Sequence, residues 1–91
     1  MLSGYPVYIT IEGHTDNIPI NTPEFPDNTE LSYRQAMFVY EVFVLHCGVD
    51  PSRVDAFGLA DYYPLASNDT SEGRALNRRI VINVTYIYET L

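Results

Sequence analysis

The stretch VYITIEGHTDN, residues 7–17, decides the fold. Val7, Ile9 and Ile11 alternate with more polar residues, a period typical of a β-strand that buries one face in a core. The strand then runs into a glycine and a polar group that includes Asp16. The question for function is why a half-buried strand carries a carboxylate to its end.

The remainder of the chain alternates between helical and extended patterns. A proline-rich loop precedes Asp27 and Asn28, either of which is placed to cap a helix, with Glu30 completing a capping box. Apolar residues at helical spacing continue up to Gly48, a stop signal. The pattern predicts an α/β or α+β sandwich with helices on one sheet face. The predicted strands cover about residues 7–12, 53–58 and 78–88, and the predicted helices about 28–47 and 70–77.

Composition and charge exclude several classes of function. The chain has 91 residues, which is the size of one domain, and a net charge of −7, which repels nucleic acid. No apolar run is long enough to span a bilayer, and no signal peptide is evident, so a secreted form is expected to be mature or excised. Cys47 is the single cysteine and is expected to be a buried, passive thiol.

Metal binding and catalysis find little support in the sequence. His14 and Asp16 are potential ligands, but residues two apart point the same way only while a strand persists, and Gly13 is expected to break it. His46 is a further candidate, but a histidine at a helix C-terminus interacts favourably with the helix dipole without any metal. No third ligand lies at a recognisable spacing. No serine has the context of an activated nucleophile, and no pair of carboxylates stands out. We therefore expect no metal, no cofactor and no enzymatic activity.

A polar ligand site is the third possibility. Asp16 leaves a strand end beside a stiff loop, and the next helix offers free N–H groups near Asn28 and a guanidinium on Arg34. A carboxylate opposite such donors can hold a zwitterion, the carboxylate taking the ammonium and the donors taking the carboxyl group. The same residues also fit a polar turn beside a solvated helix face. Residue types alone leave both interpretations open.

Four ordered motifs carry a resemblance to a known family. They are G-H-T-D-N, N-x-E-L-S, G-V-D-P-S-R and N-D-T-S-E-G-R-A-L-N-R-R. Together they resemble the OmpA-like peptidoglycan-binding domain over about residues 7–85, most closely its branch of flagellar stator proteins, MotB and its relatives. The resemblance implies an α+β, two-layer, OmpA-like sandwich with a mixed sheet. It also implies a non-catalytic periplasmic module that binds the diaminopimelate residue of the cell-wall stem peptide and anchors a larger envelope or motor protein.

The resemblance also assigns roles to individual residues. Asp16 is expected to take the diaminopimelate ammonium, so that Asp16→Ala removes binding with little change in thermal midpoint. Asn28 and Leu31 are expected to line the pocket, with Arg78 nearby. Thr15 and its neighbour Asn17 are expected to order the turn. His14 is expected to be a structural hydrogen-bonding residue.

One departure from the family pattern lies in the predicted binding helix. The family sequence L-S-x-x-R-A has an arginine that grips the ligand carboxylate, whereas Gln35 occupies that position here and Arg34 precedes it. Adjacent helical residues point about 100° apart, so Arg34 does not inherit the family geometry. Gln35 can donate one neutral hydrogen bond instead, at a cost of about 1–2 kcal/mol in binding.

A second departure lies at the front of the chain. The family fold begins with a strand and a long helix that the residues before Val7 are too few to form, so the domain is expected to be shortened there. The last strand would then have an exposed edge. The chain is therefore expected to be a fragment of a longer protein, or to have this edge covered by another chain. The expected form is a homo-oligomer that pairs through the last strand. Two functions remain open: peptidoglycan binding, or an interaction module that has lost wall binding and acts through self-association or a protein partner.

Overall fold

A mixed three-stranded sheet forms one layer of the structure. The computed structural model describes residues 7–86. The strands are β1 (Val7–His14), β2 (Val54–Gly58) and β3 (Arg79–Tyr86). Their order is β2-β1-β3, with β1 parallel to β2 and antiparallel to β3. With two helices in addition, this confirms the predicted α+β class with a mixed sheet.

The central strand β1 supplies the middle of the core. Val7, Ile9 and Ile11 are each at most 3% exposed, as their alternation predicts. The strand continues past its predicted end, because Gly13 pairs with β2 on one side and with β3 on the other. The prediction that Gly13 ends the strand is therefore wrong. The two-sided pairing carries the chain in extended form as far as His14.

Helix α1 covers β1 and β2. It spans Asn28–Glu41 and is capped by Asp27, whose Oδ1 accepts the N–H of Glu30 at 2.8 Å, as the capping-box pattern predicts. The predicted helix to residue 47 is α-helical only in its first fourteen residues and continues as a π-helical segment, Val42–His46. Gly48, with φ of 70°, follows in the left-handed conformation that favours glycine.

Two glycines set how closely α1 approaches the sheet. A Cβ at Gly13 would collide with the backbone carbonyl of Ser32, and a Cβ at Gly58 would lie 2.6 Å from the amide nitrogen of Tyr33. The N-terminal half of α1 therefore rests directly on the backbones of β1 and β2. This contact brings the start of α1 next to the end of β1.

The second half of the chain returns to the sheet through a short helix. A 3₁₀ turn at Pro51–Arg53 precedes β2, so β2 begins one residue later than predicted. Helix α2 spans Ser71–Asn77, with the Thr70 side chain as its cap. Strand β3 begins directly afterwards, and residues 87 and 88 of the predicted strand lie outside the described residues. Within residues 7–86, neither helix has the length and hydropathy to cross a bilayer.

The helix-facing side of β3 is exposed. Ile82 and Val84 pair with Ile11 and Ile9, so their side chains lie on the face that α1 covers over β1 and β2. They are nevertheless 45% and 55% exposed. In the described part of the chain, β3 is also an edge strand. The exposed edge of the last strand agrees with the expectation from the sequence.

Candidate functional site

A pocket opens where three elements meet. The end of β1, the first two turns of α1 and the residue before β3 enclose about 290 Å³. The residues that line it are His14, Thr15, Asp16, Ile18, Pro19, Ile20, Asn28, Leu31, Gln35 and Arg78. Six of the seven predicted ligand-binding residues are therefore brought together.

Asp16 is held in a fixed orientation at this pocket. Its side chain is only 10% exposed. One oxygen, Oδ1, accepts the backbone N–H of Ile18 at 3.0 Å, and the other, Oδ2, accepts Nη1 of Arg78 at 2.7 Å. Because the Arg78 side chain is 55% exposed, solvent screens the pair, and we expect it to stabilise the fold by no more than about 1 kcal/mol. The main effect of Arg78 is to orient and partly neutralise the carboxylate.

Thr15 and Asn28 fix the loop that follows β1. The N–H of Thr15 donates to the carbonyl of Ala60 at 2.8 Å, and its hydroxyl donates to the carbonyl of Asp16 at 2.7 Å. The Asn28 side chain donates across the pocket to the carbonyl of Ile18 at 3.0 Å. Asn17, which was also expected to order the turn, is exposed and makes no side-chain hydrogen bond within residues 7–86.

Gln35 and Arg34 have different positions on α1. Gln35 lies one turn after Leu31 and lines the pocket. Arg34 does not line it, because its side chain turns away and its Nε donates to Oε1 of Glu30 at 2.9 Å. At 64% exposure this is an i,i+4 pair on the helix surface. Arg34 is thus the one predicted site residue that the structure leaves apart from the others.

His14 is a buried structural residue in this geometry. Its side chain is 2% exposed, and Nε2 lies 3.1 Å from Oε1 of Glu12. Nδ1 has no hydrogen-bond partner among the described residues. In the same part of the chain, no three side chains of the metal-binding types come together as a metal site.

The apolar wall of the pocket was missed in the sequence. Ile18, Pro19 and Ile20 line the pocket together with Leu31. They belong to the proline-rich loop, which was interpreted only as a stiff connection. The available signal was the Ile-Pro-Ile sequence two residues after Asp16, because Ile18 and Ile20 point to the same side if the segment is extended.

The fold and pocket define an α+β domain with a preformed pocket at the end of its central strand. In the comparison with known protein families, the sequence model of the OmpA family matches residues 4–78 of this chain. The chain therefore belongs to the OmpA family, which confirms the resemblance seen in the motifs.

Individual relatives show where this domain occurs. The chain is 40% identical over 77 residues to Motility protein B of Bacillus subtilis, covering 85% of the chain and 30% of that protein. It is 44% identical over 75 residues to Outer membrane porin F of Pseudomonas aeruginosa, covering 82% of the chain and 20% of that protein. The chain thus spans a third or less of these two relatives.

Solved structures agree with the family assignment. The cell wall anchor of the T6SS from Pseudomonas aeruginosa superposes with a TM-score of 0.83 at 36% identity, covering 96% of this chain and 59% of that one. A MotB-like protein from Desulfovibrio vulgaris gives a TM-score of 0.82 at 34% identity, covering 90% of this chain and 52% of that one. At these identities the likeness extends beyond the fold to the family.

Proposed function

We propose that this domain binds cell-wall peptidoglycan without catalysis, through the diaminopimelate residue of the stem peptide. The observation that carries the proposal is the oriented carboxylate of Asp16 at the rim of an apolar pocket. Such a carboxylate suits the ammonium group at the end of the diaminopimelate side chain. Leu31 and the Ile18–Ile20 segment are suited to the methylene chain, and Gln35 is the polar group available to the neighbouring carboxyl group.

The relatives support this assignment and suggest its setting. One matched structure is described as a cell wall anchor, and others are periplasmic domains of MotB from Helicobacter pylori. We place the domain in the periplasm, as expected from the sequence, as a part that anchors a larger envelope or motor protein to the wall. The pocket offers fixed hydrogen-bonding groups and apolar contacts, which suit non-covalent binding of a small polar group.

A pull-down with purified sacculi tests the proposal. The purified chain is mixed with insoluble diaminopimelate-type peptidoglycan and centrifuged, and the bound fraction is measured as a function of wall concentration. We expect saturable binding that is competed by soluble stem peptide and weakened in Asp16→Asn. Asp69→Asn is the matched control, because Asp69 is exposed and lies outside the pocket but carries the same charge change. A chain that stays in the supernatant at every wall concentration refutes the proposal.

A second candidate function is self-association through the last strand. This candidate rests on the exposed apolar side chains of Ile82 and Val84 in β3. Phe38 in α1 and Leu45 in the π-helical segment are also exposed, at 70% and 71%. Large exposed apolar patches on soluble proteins mark interaction sites. The occupant that we propose is a second copy of the chain, paired along β3.

Light scattering coupled to size-exclusion chromatography tests this candidate at micromolar concentration. We expect a dimer or a higher oligomer, and dissociation in Val84→Lys. Leu65→Lys is the control, because Leu65 is 64% exposed but lies in the loop before α2. A wild-type chain that elutes as a stable monomer contradicts the second function and leaves the first untouched.

A further inference from the structure

We propose that Gln35 makes this pocket selective for a stem peptide whose diaminopimelate side chain ends in a carboxamide instead of a carboxylate. The inference rests on the proposed peptidoglycan binding and adds the chemical form of the ligand. It follows from the charges in the pocket and from the hydrogen-bonding capacity of Gln35.

The charges of the pocket are already balanced before a ligand enters. An aspartate and an arginine, Asp16 and Arg78, line the pocket, and they contact each other at 2.7 Å. His14 also lines the pocket, and its imidazole is buried against Glu12. Arg34, the cation nearest in sequence to the family's arginine position, is paired with Glu30 outside the pocket. Within residues 7–86, no cation beyond Arg78 therefore lines the pocket.

The surroundings of Gln35 disfavour a ligand carboxylate. Leu31 lies one turn before Gln35 on the same face of α1, and Ile18 and Ile20 line the same pocket. A carboxylate that enters there gives up water, and Arg78, the one cation that lines the pocket within residues 7–86, is already paired with Asp16. The carboxylate therefore gains little compensating charge, and its entry costs more than moving a neutral amide to the same place.

A carboxamide also matches Gln35 in hydrogen bonding. The glutamine side chain has one carbonyl acceptor and an NH₂ donor, and a ligand carboxamide has the same two groups. Two antiparallel N–H···O bonds can therefore form between them. A carboxylate only accepts, so it uses the NH₂ of Gln35 and leaves its Oε1 facing another acceptor.

The selectivity expected from this pairing is modest, because Gln35 is exposed and water competes for its hydrogen bonds. One additional hydrogen bond in such a setting corresponds to about a fivefold difference in dissociation constant. We expect that ratio in favour of the amide form.

Isothermal titration calorimetry with two synthetic stem tripeptides tests the inference. Both end in diaminopimelate, and they differ only in a carboxyl or a carboxamide group on the free end of its side chain. The wild-type chain is expected to bind the amide about five times more tightly. Gln35→Arg is expected to invert the order by supplying a cation, and Gln35→Ala to bind both forms within a factor of about two. Arg34→Gln is the matched control on the neighbouring residue and is expected to keep the wild-type ratio.

The outcomes separate this inference from the proposed function. Equal binding of the two peptides by the wild-type chain, or tighter binding of the acid, overturns the selectivity of Gln35 and leaves wall binding standing. An amide preference that persists unchanged in Gln35→Ala also overturns it, because the preference then comes from another residue. Failure of both peptides and of whole sacculi to bind overturns the proposed function, and the inference with it.

Discussion

Replacing Asp16 by asparagine removes one charge from the pocket while conserving its shape. The sequence alone led us to expect that even Asp16→Ala would leave the thermal midpoint nearly unchanged. The structure changes this expectation, because Oδ1 of Asp16 accepts the N–H of Ile18 in a nearly buried position. Alanine leaves that donor without its acceptor, at a cost of about 1–3 kcal/mol. Asparagine keeps an oxygen there and is therefore the better probe.

The magnitudes for Asp16→Asn follow from its two contacts. In the folded chain the substitution weakens the ion pair with Arg78, which is half exposed, so the free energy of unfolding falls by about 1 kcal/mol or less. For a domain of this size the melting temperature then drops by at most about 4–8 °C. A charge-assisted hydrogen bond to a ligand ammonium is worth about 1.5–3 kcal/mol, so the dissociation constant rises about ten- to one-hundredfold.

The assay combines calorimetry with a stem peptide and a thermal melt of the same sample. The temperature is kept well below the lower of the two melting points, so that every molecule counted is folded. The expected result is a large loss of affinity with a small change in melting temperature, while Asp69→Asn changes neither. If Asp16→Asn binds the peptide at wild-type strength, Asp16 does not contact the ammonium and the assignment of the pocket is wrong.

Three further predictions concern the fold that holds the site. The fully buried side chain of Asn77 makes four hydrogen bonds, which Asn77→Ala removes. We expect this substitution to lower the free energy of unfolding by about 3 kcal/mol in a denaturant titration. Leu76→Ala, at a 56% exposed position, is expected to change it little. Gly13→Ala places a Cβ against the backbone of α1 and is expected to cost about 2 kcal/mol or more by the same measurement, and a wild-type value contradicts the close approach. Hydrogen bonds from the backbone and hydroxyl of Ser52 lower the pKa of Asp50 below 3.8, so this carboxylate stabilises the fold above that pH and loses the effect as the pH falls further. The melting-temperature difference between wild type and Asp50→Ala is expected to narrow in acid, and a difference independent of pH contradicts this account.

Local pattern was enough to predict most of the fold. The alternation around Ile9 and Ile11 predicted the central strand and its buried face, and the Asp27–Glu30 pair predicted the start of α1. These signals depend on residues close together in the chain, where period and capping chemistry dominate. The end of β1 could not be predicted in this way, because Gly13 stays extended only through its pairing with two strands that are distant in sequence.

Part of the pocket lining was predictable as a set of residues, but its geometry was not. The family motifs named Asp16, Gln35 and Arg78, which the fold does bring to one pocket. The ion pair between Asp16 and Arg78 joins residues 62 positions apart, so no local pattern reports it. The apolar wall supplied by Ile18 and its neighbours was missed for the same reason, since its role depends on how the loop folds back over α1.

Several residues of the family motifs serve the fold in this structure. Ser32 is fully buried and accepts the N–H of Ala60, Gly13 admits the close approach of α1, Asn77 fastens the loop before α2, and Thr70 caps that helix. These motif residues therefore support the fold in this chain whatever the ligand. Gln35 is different, because it is exposed and lines the pocket. Its side chain makes no hydrogen bond to the other described residues. We expect substitutions of Gln35 to change stability little, so the ligand preference that we propose for this residue can be tested without disturbing the fold.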